Sequence, residues 1–379
     1  MPRFEPFQAL RYRRNVDLHD VCSPPYDVLS DLDRLALATA HANNIVHIDM
    51  PLASSGNAYE HAAVVLNQWI TEGVLVRDDQ PSFTLYRMKF TDTTGKARNV
   101  VGVIGALEVV DEGAGGVLPH ERTTPKAKTD RLELTRATDA NLSPVWGLSL
   151  ATGLSTLLTE PAELLGELTD DLGVVHSVER VTDDARIAAI SAAIAAHPVV
   201  IADGHHRYAI SRTYRDEVRE RTNSTSTGAE LTMTYVNELI DEQLSVAAIH
   251  RLYEGITYKE LAAALSPFFT INDADPVGPS TLSQMNERGS LCLVAKTGRT
   301  HWLTPIAEKF AGVRNLDSAY LEHALSSVQH EVRYQHGVTE VQHELSTSDA
   351  AAAILIRPVS VAEIQRTANE GLLMPPKST

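Results

Sequence analysis

Apolar and polar positions alternate along this chain with two periods, and the change from one to the other recurs from end to end. Short runs rich in β-branched residues predict strands, whereas longer runs with apolar positions three or four apart predict amphipathic helices. This interleaving favours an α/β (mixed α+β) layered fold over a helical bundle or a β-sandwich.

The predicted elements cover most of the chain. Helices are predicted at residues 32–42, 59–71, 185–196, 258–265 and 361–369. Strands are predicted at 45–50, 145–150, 199–202 and 352–356, and hairpins at 82–110 and 291–304. With a first boundary at the loop Gly113–Gly116, we expect an N-terminal α/β region (1–112), a central core (113–252) and a C-terminal α/β region (253–379).

A buried strand, a tight turn and a helix are predicted around Asp203. The β-branched run 199–201 has the composition of a buried strand, and the small residues 202–204 let the chain turn. The helix that follows has apolar residues every four positions from Ile210 to Val218, with Arg215 off that face.

Three cations, His205, His206 and Arg207, open that helix. Cations oppose the helix dipole at this end, whereas an anion is favoured there, so a bound phosphate or carboxylate would resolve the conflict. We therefore predict an anion-binding turn from Asp203 through Gly204 to Arg207. Two alternatives stay open: Asp203 only caps the helix and the histidines lie at the surface, or the histidines bind zinc.

A basic stretch, HERTTPKAKTDRLELTR, lies between His120 and Arg136. Pro125 and the threonines predict a loop in its first half that can wrap a ligand, although a merely solvated loop followed by an ordinary helix is the alternative. If the loop faces the Asp203 turn, its cations and the carboxylates of Glu121 and Asp203 suit phosphoryl transfer, with one carboxylate holding Mg²⁺ and the other accepting a hydroxyl proton.

The composition of the chain restricts the classes of partner that we expect. Lys and Arg total 33 against 49 Asp and Glu, and the net charge of −16 disfavours nucleic acid and anionic membranes. No apolar run approaches the roughly 18 residues of a membrane span and the N-terminus lacks a signal-like segment, so we expect a cytoplasmic protein.

The cysteines Cys22 and Cys292 form no recognisable motif. Walker A and GxGxxG sequences are missing, so any nucleotide site is of another type.

Four segments resemble one conserved bacterial and archaeal family, called domain of unknown function 1015. They are SPPYD at 23–27, LPHERTTPKAKTDRLELTRATDANLSP at 118–144, IADGHHRY at 201–208 and MPPKST at 374–379. The resemblance runs nearly end to end, and in that family the chain usually continues past MPPKST. SPPYD is a rigid turn that presents Tyr26 and Asp27, for which a structural and a functional role are both open.

The DGHHR element also resembles the phosphate-binding turn of the ParB and sulfiredoxin superfamily, most closely that of the free-serine kinases. The resemblance implies a central ParB/sulfiredoxin-like nucleotide-binding core with α/β elaborations on both sides. Those kinases carry a carboxylate in an LHE-like element, and residues 118–121 (LPHE) are similar. Glu121 would then be the base acting on the acceptor hydroxyl, and Asp203 the metal or substrate carboxylate.

The remaining candidate site residues fall into two groups. Nucleotide phosphates are expected at Gly204, His205, His206, Arg207, Arg122, Lys126 and Lys128. Acceptor contacts are expected at His120, Tyr26, Asp27 and Arg131.

The preferred hypothesis is a Mg²⁺-dependent kinase that moves phosphate from ATP or ADP to a small hydroxylated metabolite, with free L-serine the leading acceptor. One alternative is a nucleotide-gated binding protein of the ParB type without DNA binding, for which a homodimer is a further expectation. The other is a phosphate-ester hydrolase that uses His205 or His206.

Overall fold

The computed structural model describes residues 1–14, 16–26, 28–52, 57–92, 95–119, 128–240, 243 and 248–370. The chain divides into two compact units. The first comprises Met1–Pro119 and Thr123–Ser245, and the second His120–Arg122 and Val246–Thr379.

The first unit combines strands and helices throughout its length. Its strands are β1 (Phe4–Glu5), β2 (Leu10–Tyr12), β3 (Leu75–Arg77), β4 (Phe83–Thr91), β5 (Ala97–Glu108), β6 (Val117–Pro119), β7 (Val145–Ser149), β8 (Glu163–Thr169), β9 (Val175–Val181), β10 (Val199–Asp203) and β11 (Leu231–Glu238). Its helices are α1 (Leu18–Val21), α2 (Asp31–Ala40), α3 (Val46–Asp49), α4 (Ala58–Thr71), α5 (Lys128–Thr138), α6 (Leu154–Thr159), α7 (Asp184–Ala195) and α8 (His205–Thr222).

One large mixed sheet organises the first unit, with the strand order β6-β10-β7-β11-β5-β4-β9-β8 and with β1 added beside β5. Strand β10 is parallel to β6 and antiparallel to β7. The pair β7–β11 is also parallel, whereas the pairings from β11 to β8 are antiparallel. Strands β2 and β3 form a separate antiparallel pair.

Strand β10 and its flanking helices pack into the core of this sheet. Val199 and Ile201 are buried together with Ile190 and Ile194 of α7, whose first turn is capped by the Asp183 carboxylate. The buried strand predicted at 199–202 is therefore confirmed.

The first turns of α8 are tied to the end of β5. The Tyr208 hydroxyl donates to the Glu108 carbonyl at 2.9 Å and accepts from the Val110 N–H at 2.8 Å. Arg215, expected off the buried face of this helix, is only 2% exposed, because its guanidinium donates to the Val109 carbonyl and pairs with Asp111 and Asp216. These bonds fix where α8 begins relative to the sheet.

The second unit has its own antiparallel sheet. Its strands are β12 (Ile249–Glu254), β13 (Phe269–Ala274), β14 (Leu291–Ala295), β15 (Thr300–Pro305), β16 (Glu331–His336) and β17 (Ala352–Leu355). Its helices are α9 (Tyr258–Leu265), α10 (Thr281–Arg288), α11 (Asp317–Leu325), α12 (Val338–Thr347) and α13 (Val361–Asn369). The strand order is β13-β15-β14-β17-β12-β16, and separate apolar clusters on this sheet include Leu261 with Phe269, and Val341 with Leu345.

The predicted mixed α/β class is confirmed, and so are both hairpins and the helices α2, α4, α7, α9 and α13. The strand predicted at 45–50 is wrong, since Val46–Asp49 is the helix α3. The buried Asn44 explains this, because its amide oxygen accepts from the Val46 N–H at 3.1 Å and its amide nitrogen donates to the carbonyls of Asp20 and Cys22. Local side-chain capping outweighs the strand preference of the β-branched residues.

The boundaries of the units differ from the three predicted regions. The division at 112/113 lies inside the first unit, because strands from both sides of it share one sheet. The division at 252/253 lies close to the observed change of unit after Ser245. In the part of the chain that the structure describes, no helix combines the length and the apolar character that crossing a membrane requires.

Candidate functional site

The edge of the large sheet carries the Asp203 turn. Val199, Val200 and Ile201 of β10 lie in register with Val117, Leu118 and Pro119 of β6. Since the two strands are parallel, their carboxyl ends lie at the same edge of the sheet. In open α/β sheets this is the edge at which ligands bind. The chain therefore enters the basic segment after Pro119 beside the place where β10 ends at Asp203.

Gly204 turns the chain from β10 into α8. It has φ +81°, a left-handed conformation that glycine adopts without the steric cost of a Cβ atom, and it is the residue that precedes the helix. A glycine has no side chain with which to cap the first turn. The positive end of the α8 dipole therefore points at the sheet edge without a side-chain cap from this position.

Arg207 folds back over Gly204 and binds the turn. Its guanidinium donates to the Asp203 carboxylate and to the Pro144 carbonyl. A Cβ atom on Gly204 would lie 2.9 Å from Arg207 Nε, so the absence of a side chain there makes room for the arginine. Two nitrogens of Arg207 are thus engaged by the protein, and the Asp203 side chain remains 60% exposed.

A small cavity lies between α5, α8 and the segment that follows α5. Arg131 and Thr135 of α5 line it together with Arg207 and Ser211 of α8, and Tyr26 also contributes. Its volume of about 50 Å³ has room for a few water molecules rather than for an amino acid. The cavity brings the predicted residues Tyr26, Arg131 and Arg207 around one space.

Helices α5 and α8 run side by side in the same direction. Arg131 and Arg207 face one cavity near the start of both helices, and farther along Arg136 pairs with Glu217. The Tyr214 hydroxyl donates to the Asp139 carboxylate just beyond the end of α5. The N-terminal ends of both helices therefore lie at the same end of the pair, and their dipoles favour an anion there.

Asp49 is a buried carboxylate of this site that the sequence did not single out. Its Oδ1 accepts from the Arg131 guanidinium at 3.0 Å, and its backbone carbonyl accepts from the same group at 2.7 Å. Burial raises the pKa of the Asp49 carboxyl, although the positive charges of Arg131 and Arg207 oppose the rise. The signal in the sequence is an acidic residue inside an apolar run, IVHIDM, whose pattern predicts a strand.

Arg131 is held from three sides. Besides Asp49, it pairs with Asp130 at 2.8 Å and lies 4.5 Å from the centre of the Tyr26 ring. The Tyr59 hydroxyl donates to the other oxygen of Asp130. Burial opposes ionisation of Asp130, yet these hydrogen bonds from Tyr59 and Arg131 lower the pKa of its carboxyl.

Five of the other predicted site residues lie outside the described residues: His120, Glu121, Arg122, Lys126 and Asp27. Of Lys128, only its place at the start of α5 is described. His205 and His206 are the first two residues of α8, and both are half-buried. Their roles stay predictions. Within the described ranges, no group of three His, Cys, Asp or Glu side chains is arranged to hold a metal ion.

The chain matches a family described as "Protein of unknown function (DUF1015)" over residues 4–319. It therefore belongs to this family, as its four sequence segments predicted. None of the curated proteins matches it.

Several solved structures are similar at low identity. SbnI with a C-terminal truncation from Staphylococcus aureus is 12% identical, with a TM-score of 0.40, covering 72% of this chain and 80% of that chain. A free serine kinase in complex with AMP is 12% identical, with a TM-score of 0.37 and coverage of 69% and 82%. A conserved hypothetical protein from Pyrococcus furiosus is 11% identical, with a TM-score of 0.38 and coverage of 69% and 85%. Similarity at this level does not decide function.

Proposed function

We propose that this DUF1015 protein is a kinase that transfers a phosphoryl group from ATP or ADP to the hydroxyl group of a small metabolite, with free L-serine the leading acceptor. The observation that carries the proposal is the parallel pairing of β6 with β10. Because of this pairing, the segment that contains Glu121 begins after Pro119, at the sheet edge where Asp203 lies.

The register of β6 with β10 supports the proposal. Asp203 follows Ile201 by two residues, and Glu121 follows Pro119, the partner of Ile201, by the same step. Two residues of extended chain reach at most about 7 Å, and neighbouring strands lie about 5 Å apart. Pro119 and Ile201 are therefore neighbours on adjacent strands, and in sequence each precedes one of the two carboxylates by two residues.

Each group then has a distinct chemical role. The acceptor oxygen attacks the terminal phosphorus of the nucleotide, the bond from that phosphorus to the bridging oxygen breaks, and Glu121 takes the proton of the hydroxyl group. The cations Arg122, Lys126 and Lys128 and the positive end of α8 offset the charge of the phosphate oxygens.

Mg²⁺ would be held by the nucleotide phosphates and by the Asp203 carboxylate, whose oxygen chemistry suits this ion. Oδ2 of Asp203 accepts from Arg207, which fixes the orientation of the carboxylate. Arg207 is therefore a positioning residue in this proposal, and its link to the Pro144 carbonyl anchors the turn.

The acceptor would bind at the open edge rather than inside the small cavity. The cavity of about 50 Å³ is too small for serine, and Arg131 in its wall is engaged by Asp49 and Asp130. We expect Arg131 and Tyr26 to form the rear wall of the acceptor site.

Incubation of the purified chain with Mg²⁺, ATP or ADP and a panel of hydroxylated amino acids tests the proposal. Phosphorylated product, detected by mass spectrometry, is expected with L-serine. The absence of both product and nucleotide turnover across the panel would contradict a kinase. Nucleotide binding without turnover would instead favour the nucleotide-gated alternative.

Substitution of either carboxylate tests its role. Glu121→Gln and Asp203→Asn should each lower kcat at least about a hundredfold, since Glu121 would act as the general base and Asp203 would hold Mg²⁺. Glu217→Gln is the matched control, because Glu217 pairs with Arg136 on an exposed part of α8. Full activity in either of the first two variants would remove that residue from the mechanism.

A further inference from the structure

A second, larger groove lies in the first unit, apart from the cavity beside Arg131. Its volume is about 570 Å³, which is within the usual range for small-molecule sites of roughly 300 to 1,000 Å³. The two spaces share only wall residues of the 140–142 segment, the last residues before the chain approaches β7.

The floor of the groove is apolar and incompletely covered. Six of the apolar side chains that line it come from separate parts of the unit and are half-buried: Leu10, Leu18, Ile45, Leu165, Val178 and Met233. Removal of such surface from water by a ligand is favourable. An apolar ligand body therefore gains free energy by covering this floor.

The rim of the groove is basic in a chain of net charge −16. Arg11, Arg13, Arg14 and Arg180 line it, with Asp78 as the carboxylate among the described lining residues. Three of the four arginines are paired. Arg11 and Arg180 both pair with Asp78, and Arg180 also pairs with Asp79. Arg14 pairs with Glu163.

Arg13 differs from these three. Its side chain is exposed, and within the described part of the chain it makes no side-chain hydrogen bond or ion pair. Its backbone N–H donates to the Val74 carbonyl at 3.2 Å, which fixes the residue beside the β2–β3 pair. The Arg13 guanidinium can therefore pair with a ligand that carries one negative charge, because a guanidinium binds a carboxylate with two parallel hydrogen bonds. The apolar floor below it can bind the rest of that ligand.

We propose that this groove binds a small monocarboxylic acid with an apolar body, whose carboxylate pairs with Arg13 and whose hydrocarbon part lies on the floor around Met233. The ligand is distinct from the nucleotide and from the hydroxylated acceptor. The groove is a second site in the first unit and does not depend on phosphoryl transfer.

Calorimetry on the full chain tests the proposal with three probes. Octanoate has the charge and the apolar body, octanol has the body alone, and acetate has the charge alone. Octanoate should bind at least about tenfold more tightly than octanol, because it adds a charge-assisted hydrogen-bonded pair. It should also bind at least about tenfold more tightly than acetate, because its hydrocarbon part covers the apolar floor. Octanoate binding that is absent or no tighter than octanol binding overturns the proposal.

Two substitutions with matched controls locate the site. Arg13→Gln should reduce octanoate affinity to that of octanol, whereas Arg77→Gln should leave it unchanged, since Arg77 is exposed on β3 and does not line the groove. Met233→Trp should block the floor and Met233→Leu should preserve binding. Thermal unfolding checks that Met233→Trp is folded, and if it is not, Arg13→Gln decides alone. Unchanged octanoate affinity in Arg13→Gln places the ligand elsewhere and overturns the proposal.

Discussion

At the scale of single residues, the Asp203 turn depends on the absence of one side chain. Gly204 supplies a left-handed backbone and also the space into which Arg207 folds. Arg207 then orients the Asp203 carboxylate and joins it to the Pro144 carbonyl. The cation that was predicted to hold phosphate thus helps to build the turn itself.

Substitution of this glycine should have two separable effects. Gly204→Ala should lower the free energy of unfolding by about 2 kcal/mol, of which roughly 1 kcal/mol is the left-handed backbone cost for alanine. The remainder comes from displacement of Arg207. Gly153→Ala is the control, since Gly153 has φ +88° and nothing within 4 Å of an added Cβ. Urea titration should show the smaller loss there, and equal losses at the two positions would contradict a role for Arg207.

At the scale of elements, the site depends on a three-residue strand and on two parallel helices. Strand β6 is short, and it pairs with β10 although the two strands are far apart in sequence. No local sequence pattern predicts such a pairing. The packing of α5 beside α8 likewise rests on contacts such as Arg136 with Glu217. The strand pairing sets the sheet edge at which Asp203 lies, and the helix packing forms the cavity that Arg131 and Arg207 line.

The sequence predicted elements with strong periodicity and missed those that tertiary contacts decide. The hairpin of β4 and β5 and the buried run Val199–Ile201 followed from local patterns. Asp49 was missed because the capping bonds of Asn44 turn a strand-like run into a helix. The sequence predicts Tyr26 and Arg131 as contacts of one acceptor site, but it does not predict that the Arg131 guanidinium lies over the Tyr26 ring, since a cation over a ring leaves no pattern in sequence.

Helix α5 offers a matched pair of arginines for comparing a buried with an exposed ion pair. Arg131→Met leaves the Asp49 carboxylate buried without its partner and should cost about 3 kcal/mol of unfolding free energy at pH 8. Arg136→Met removes exposed pairs with Glu133 and Glu217 and should cost less than about 1 kcal/mol.

The pH dependence of the stability loss in Arg131→Met shows whether the unpaired Asp49 carboxylate causes it. Burial already raises the pKa of Asp49, and loss of Arg131 should raise it further. Because the folded variant then binds a proton more tightly than the unfolded chain, its stability falls as pH rises through the raised pKa. The deficit of Arg131→Met should therefore shrink at pH 5. A deficit that does not change with pH would show that Asp49 stays ionised.

At the scale of the whole molecule, the two units differ in the groups they bury. The first buries the Asp49–Arg131 pair beside the candidate site, whereas the second buries a histidine in its sheet. Burial lowers the pKa of His250 to about 4, with help from His336 and Arg251, and its Nδ1 accepts from the Ile356 N–H at 3.2 Å. The second unit therefore holds this imidazole neutral.

Acid should destabilise the second unit through His250. The unfolded chain binds a proton below about pH 6.5 and the folded one only near pH 4, so stability is complete above pH 6.5 and falls as pH drops. The loss between pH 7 and pH 4 should be about 3 kcal/mol. His250→Asn keeps an acceptor for Ile356 and should remove most of this slope in urea titrations. His343→Gln, at an exposed histidine, should keep it, and an unchanged slope in His250→Asn would exclude His250 as its source.

The central claim is that Glu121 and Asp203 act on one phosphoryl group at the edge of the β6–β10 pair. The most direct test is the rate of L-serine phosphorylation in the wild type, in Glu121→Gln, in Asp203→Asn and in the double variant. Groups that act as a unit give non-additive losses, so the double variant should be about as slow as the slower single variant. Losses that multiply, or a single variant with full activity, would contradict a shared site.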